Sequence, residues 1–298
     1  MPSAPCPESR VPSPESRTSA PRPESRPIAF LGGGNMARAL ISGLLRGGVP
    51  STDLRVAEPR AEARAELAQT FGIATHADNP SAARGATLWV LAVKPQILRE
   101  VCVGLAPLAQ SERPVVLSIA AGIRSAQVAQ WLGGSIAVVR AMPNTPALLG
   151  ASATGLFANA QVNADGRALA TRVMQTAGLC CWIEDEAQMD VVTALSGSGP
   201  AYFFLLTEAL EAAAVAQGLP QKIARTLATQ TCLGAGRMLR EDGASAAELR
   251  QRVTSPGGTT AAALQAFAAG GFAELVAAAL SAATQRGADL SASAENAP

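Results

Sequence analysis

One histidine and two lysines leave this 298-residue chain short of the groups that usually carry acid–base chemistry. Its five cysteines, Cys6, Cys102, Cys180, Cys181 and Cys232, form no CxxC pair and stand beside no histidine cluster. Neither a disulfide framework nor a metal site is expected, and the expected compartment is the reducing cytoplasm. Charge is also sparse and balanced, with 24 Lys+Arg against 23 Asp+Glu and 16% charged residues. Such a balance lacks the basic excess that holds nucleic acid or an acidic membrane surface, so neither is an expected partner. Apolar runs such as 87–93 and 201–206 fall far below the roughly 20 residues needed to span a bilayer. What is present is 48% hydrophobic residues over a length that favours two domains around a sizeable core, with a small molecule as the expected partner.

Residues 1–26 repeat Pro-Glu-Ser-Arg at 7–10, 14–17 and 23–26; with almost nothing apolar to bury, they read as a disordered tail. Order is expected from Ile28, where Ile28–Leu31 reads as a strand, followed by a glycine turn and a helix over 38–46. Further strands are expected at 54–57, 87–93, 115–119 and 136–139, with helical text between them, including Ala61–Phe71. Near-continuous apolar strands separated by helices predict a Rossmann-like α/β unit, a doubly wound parallel sheet, over 27–184. Beyond 184 the chain reads as alanine-rich helix at 187–195, 200–217, 221–240, 246–253, 260–268 and 272–286. This predicts an all-α domain over 185–286 and a flexible tail over 287–298. Helices so rich in alanine bury little area alone, which points to an intersubunit bundle.

Gly32-x-Gly34-x-x-Ala37 follows the first strand and opens a helix, the context that makes a glycine pattern read as a dinucleotide loop. Gly32 permits the tight turn, Gly34 the close approach of a pyrophosphate, and Ala37 close packing of helix on strand; Asn35 and Met36 complete the loop. Glu58 ends the second strand, where a carboxylate holds a ribose hydroxyl, yet Arg60 stands two residues on and could pair with a 2′-phosphate. The balance favours NADPH, with NADH tolerated. Ala92, Val93, Lys94 and Pro95 end the next strand at the edge where ligands sit; Lys94 reads either as a site residue or as a solvated loop lysine. Ala120 and Ala121 occupy the same edge one strand later, with side chains small enough for a nicotinamide to lie against the backbone. Asn144-Thr145-Pro146 repeats that placement after the following strand.

Four segments together carry a family resemblance: 30–37 with its glycines, Ala92-Val93-Lys94-Pro95, 140–146, and Leu195-Ser196-Gly197-Ser198-Gly199-Pro200 with the later Ser255-Pro256-Gly257-Gly258-Thr259-Thr260. Over about 28–286 the chain resembles pyrroline-5-carboxylate reductase. The resemblance implies NAD(P)H-dependent reduction of 1-pyrroline-5-carboxylate to L-proline, the last step of proline biosynthesis. It implies a homodimer with shared active sites and a ring-shaped decamer of such dimers. It places the substrate on the loop Gly257, Gly258, Thr259, Thr260, with the Thr260 hydroxyl near the ring nitrogen. Glu186, Asn144, Ser196 and Ser198 fall near the substrate, and Asn79 and Arg60 near the cofactor ribose.

The residues agree with that chemistry. A protonated cyclic imine accepts hydride without a strong general acid, so positioning does most of the work. An alcohol dehydrogenase would need a His or Lys base, and after residue 95 the chain offers only Lys222, which also reads as an exposed first-turn residue. A non-catalytic dinucleotide-binding sensor is the remaining alternative. The helix behind 255–260 makes its free amides a natural carboxylate receptor, although Thr259 or Thr260 could also serve simply as the helix cap.

Overall fold

The computed structural model describes residues 27–295; the tail expected over 1–26 lies outside the described residues. Eight strands form: Ile28–Leu31 (β1), Leu54–Ala57 (β2), Ala74–His76 (β3), Leu88–Leu91 (β4), Val115–Ser118 (β5), Ala137–Met142 (β6), Ser152–Ala158 (β7) and Gly178–Trp182 (β8). The helices are Asn35–Arg46 (α1), Ala61–Phe71 (α2), Asn79–Ala83 (α3), Pro95–Glu112 (α4), Ser125–Trp131 (α5), Ala164–Gln175 (α6), Met189–Val192 (α7), Gly199–Ala216 (α8), Gln221–Glu241 (α9), Ala246–Arg252 (α10), Thr259–Ala269 (α11) and Phe272–Glu295 (α12). All strands join one sheet in the order β3-β2-β1-β4-β5-β6-β7-β8.

The fold is the expected doubly wound α/β sheet, because β1, β4 and their neighbours carry apolar residues on both faces. Ile28 and Phe30 pack toward Leu40, Ile41 and Leu44 of α1 and Leu169 and Val173 of α6. Ala29 and Leu31 face the other way, joining Trp89 with Leu98, Cys102 and Leu105 of α4 and Val128 of α5. Period-two alternation on a central parallel strand thus feeds two cores at once.

Three strands depart from the expectation. β3, β7 and β8 lack long branched runs; β7 is built largely from Ser, Ala, Thr and Gly. The sheet is also not wholly parallel, since β6 and β7 run antiparallel while every other pair is parallel. Only residues 143–151 separate them, too short for a crossover helix, so the chain folds straight back. His76, the one histidine of the chain, ends β3 and accepts the Glu58 amide at 3.0 Å through its carbonyl.

The helix expected over 187–195 is broken into a 3-10 turn at Glu186–Gln188, α7 and a π turn at Thr193–Gly197. The flexible tail expected over 287–298 is corrected over 287–295, where α12 continues to Glu295, and its last three positions lie outside the described residues. Ser291 is buried, and a Cβ placed on Gly122 would meet Leu290 Cβ at 3.4 Å, so the end of α12 is seated on the turn after β5. In α8 through α11, Ala224 and Leu249 are the only buried hydrophobic side chains among the described residues. Among the described residues no single helix is long and apolar enough to cross a membrane.

Candidate functional site

The strands deliver their carboxyl ends to one edge, where an open α/β sheet binds ligands. Gly32 lies there at φ +105°, and a Cβ on it would meet the Ala92 carbonyl oxygen at 2.7 Å. The loop after β1 therefore lies against the Ala92-Val93 end of β4, joined by the Ala92 amide donating to Leu31 at 2.9 Å. A Cβ on Gly34 would enter open space, and Gly34 caps α1 with no side chain satisfying the first-turn amides. Those amides, the α1 dipole and the open approach fit a dinucleotide pyrophosphate. Asn35 is exposed and Met36 half-buried beside it. Lys94 is exposed and caps α4, with Pro95 as that helix's first residue. Ala120 is buried and Ala121 exposed at the β5 turn, and Asn79 opens α3 directly after β3.

Glu58, expected at a ribose, is also engaged within the protein. Its side chain is 8% exposed and accepts from Arg60 Nε at 2.9 Å, while the Arg60 guanidinium side chain is 73% exposed. Burial pushes the Glu58 carboxyl up, but hydrogen bonds from the Arg60 side chain and amide, with that arginine's charge, outweigh it and hold the pKa below the ordinary value. The carboxylate thus anchors the inner side of Arg60 and leaves its outer face to solvent.

A second set of polar groups lies where β6 meets the helical half. Arg140, 4% exposed along its side chain, sits in the otherwise apolar β6 between Glu186 at 3.3 Å and Asp190 at 4.0 Å. Burial, the largest influence, draws its pKa below the usual arginine value, opposed by the two carboxylates. Glu186 also accepts the Ser125 amide at 2.7 Å and the Ser125 hydroxyl at 2.6 Å. Asn144 donates to the Ser196 carbonyl at 2.9 Å and accepts from the Ala153 amide at 3.1 Å, tying the π turn to the sheet. Gly197 and Gly155 permit that closeness: a Cβ on Gly197 would meet Met142 Cε at 2.6 Å, and one on Gly155 would meet Val192 Cγ1 at 2.5 Å. The Ser196 hydroxyl bonds to Val192, Ser198 is half-buried, and Tyr202 donates back to Ala194 at 3.0 Å. Three members of this cluster, Arg140, Ser125 and Asp190, were not expected as site residues. The available signal was an arginine inside an apolar strand, which requires a paired carboxylate.

The loop before α11 is a glycine turn that leads into the helix. Gly257 lies at φ +70° and Gly258 caps α11 without any side-chain cap bond, so neither Thr259 nor Thr260 is the N-cap. Thr260 is half-buried in the first turn. Hydrogen bonds shown for 254–260 are local, among them Gly258 to Ser255 at 3.0 Å and the Thr254 hydroxyl to Arg250 at 2.6 Å. One chain thus gathers the cofactor edge and the Arg140 cluster through its sheet, while the Thr260 loop is carried on helices whose apolar faces are open.

Comparison with known proteins converges on one family. The model described as "Pyrroline-5-carboxylate reductase dimerisation" matches residues 186–290, and that described as "NADP oxidoreductase coenzyme F420-dependent" matches 27–122. A curated pyrroline-5-carboxylate reductase of Pseudomonas aeruginosa is 50% identical over 263 residues, covering 88% of this chain and 96% of that protein. A solved pyrroline-5-carboxylate reductase from Coxiella burnetii superposes with a TM-score of 0.87 at 42% identity, covering 90% of this chain and 99% of that one. The Plasmodium falciparum pyrroline carboxylate reductase, solved with NADP bound, gives 0.78 at 28% identity, with 90% and 99% coverage. With half its residues shared along nearly the full length of a curated relative, and the same fold in solved ones, the chain belongs to the pyrroline-5-carboxylate reductase family.

Proposed function

We propose that the chain reduces 1-pyrroline-5-carboxylate to L-proline with NAD(P)H, the last step of proline biosynthesis, and does so as a homodimer with shared active sites. The observation that carries this reading is a pair of helix N-termini, each capped by a glycine with no side-chain cap bond: the Gly34 end of α1 for a pyrophosphate and the Gly257-Gly258 end of α11 for a carboxylate. Residues 27–184 hold the cofactor in this reading, and the helices from 185 onward hold the substrate.

When bound, the reduced nicotinamide supplies the hydride. Gly32, Gly34, Asn35 and Met36 would hold the pyrophosphate, and the order β3-β2-β1-β4-β5 supports an adenosine end on the β2 and β3 side and a nicotinamide end on the β4 and β5 side. Ala92, Val93, Lys94 and Pro95, with Ala120 and Ala121, form the floor there. Amides of Gly257 and Thr259 bind the substrate carboxylate, Gly258, whose own amide is held by Ser255, shapes the turn that presents them, and the Thr260 hydroxyl holds a hydrogen bond at the ring nitrogen. Positioning of a protonated imine is then the chain's main contribution, in keeping with its lack of a histidine beyond His76.

The outward guanidinium of Arg60, anchored by Glu58, supports a preference for NADPH over NADH, since it is free to meet a 2′-phosphate. Free Cys102, Cys180, Cys181 and Cys232 support a reducing, cytoplasmic setting. The test is absorbance decay of NADPH and NADH with purified protein, with and without pyrroline-5-carboxylate. Rapid loss that requires the imine is expected; no loss with either cofactor from folded protein that still binds NADPH would overturn the reading.

A further inference from the structure

We propose that Glu186 is a positioning residue that sets the cofactor turn after β5 and does so without touching substrate. Both of its oxygens are engaged. The Ser125 amide and hydroxyl donate to them at 2.7 and 2.6 Å, and Arg140 reaches Oε1 at 3.3 Å. Ser125 is the first residue of α5, and the segment immediately before it is Ala120-Ala121-Gly122-Ile123-Arg124, the turn that follows β5. A carboxylate at this point does two things for the helix: it satisfies an otherwise orphaned first-turn amide, and it places negative charge at the positive end of α5. The start of α5, and with it the end of the turn, is thereby tied to a residue 61 positions further along the chain.

The same joint is closed from a third side. Asp190, 4.0 Å from Arg140, accepts from the Ser291 hydroxyl at 3.5 Å. A Cβ on Gly287 would meet Asp190 Cβ at 3.4 Å, and one on Gly122 would meet Leu290 Cβ at 3.4 Å. The turn after β5 is therefore held between Glu186 on one side and the end of α12 on the other, with buried Arg140 as the shared cation. Removing charge from one member of a buried, mutually satisfied set costs more than a surface contact does, because the arginine keeps its desolvation without its partner.

This inference rests on the reductase reading, in which that turn faces the nicotinamide while adenosine lies over β2 and β3. It separates the two ends of the cofactor. Glu186→Gln is nearly isosteric, and its binding would be measured by calorimetry with two probes, NADPH and 2′-phospho-ADP-ribose, which lacks the nicotinamide. The expected result is about tenfold weaker NADPH binding, with the truncated probe within about twofold of the unsubstituted chain. Equal weakening of both, or of neither, would overturn the proposal, since a merely structural role moves the two together. If Glu186→Gln fails to fold, Ser125→Ala removes only the hydroxyl bond and is expected to weaken NADPH alone by about threefold; equal effects there would likewise overturn it. Failure of the unsubstituted chain to bind NADPH would instead strike at the reductase reading and take this proposal with it.

Discussion

Thr260 and Arg60 occupy opposite ends of the proposed reaction site, and each makes a separable contribution. The Thr260 hydroxyl stands in the first turn of α11, where Gly258 already caps the helix. Its replacement by alanine should leave the helix intact. Loss of one hydrogen bond at the reacting nitrogen is expected to lower kcat/KM about 10- to 100-fold, with NADPH affinity and melting temperature kept; unchanged kinetics would remove Thr260 from the mechanism. Arg60 is held through Nε by Glu58, leaving the rest of its fork toward solvent. Arg60→Ala is expected to raise KM for NADPH about tenfold and KM for NADH less than about twofold. Steady-state kinetics with both cofactors decides this, and equal effects would mean that Arg60 does not read the phosphate. Glu58 was legible in the sequence as a carboxylate at a strand end, but its inward engagement was not. Which of two neighbouring opposite charges faces the ligand depends on their mutual geometry.

At the scale of elements, the pairing of α1 with α6 shows where packing overrides propensity. Gly43 lies inside α1, where alanine would ordinarily favour the helix by about 1 kcal/mol. A Cβ there would meet the Thr176 carbonyl oxygen at 2.7 Å and the Thr176 side chain at 2.8 Å. The obstacle includes backbone, so it cannot swing aside, and overpacking of this kind costs about 1–3 kcal/mol. Gly43→Ala is therefore expected to lower stability in urea unfolding, and a more stable variant would show that the α1–α6 contact yields. The same logic explains which elements could be anticipated. β1, β2, β4 and β5 announce themselves through branched and large apolar residues buried on both faces. β7 does not, because Ser152 and Thr154 pair with each other through their hydroxyls at 3.1 Å and Gly155 makes room for Val192. Its strand character comes from its neighbours.

At the scale of the whole molecule, α8 is the decisive element. Phe203, Phe204 and Leu205 are consecutive, so they point in different directions around the helix, and they are 60%, 68% and 66% exposed in one chain. A helix apolar all round is stable only when it is covered all round. Each such side chain gains about 1.5–3 kcal/mol on burial, and the family's dimerisation region spans these residues. The exposed apolar helix and the matched dimerisation region both support oligomerisation. Phe204→Glu is expected to shift the protein to monomer in sedimentation velocity and to abolish most activity, because a buried unpaired carboxylate opposes association. A variant that stays assembled would place Phe204 outside the interface.

The residues themselves determined the glycine loop after β1, the apolar strands, the helical second half and the Gly257-Gly258 turn, because each depends on local spacing and on conformations that few side chains allow. Tertiary structure alone decided the rest. The reversal at β7 follows from a connection too short to cross over. The extension of α12 to Glu295 follows from Leu290 and Ser291 finding a seat on Gly122 and Asp190. The role proposed for Glu186 follows from its meeting Ser125 and Arg140, which stand 61 and 46 positions earlier in the chain. Contacts of that kind join parts of the chain that no local pattern links, and their free energy exists only once the sheet has brought them together.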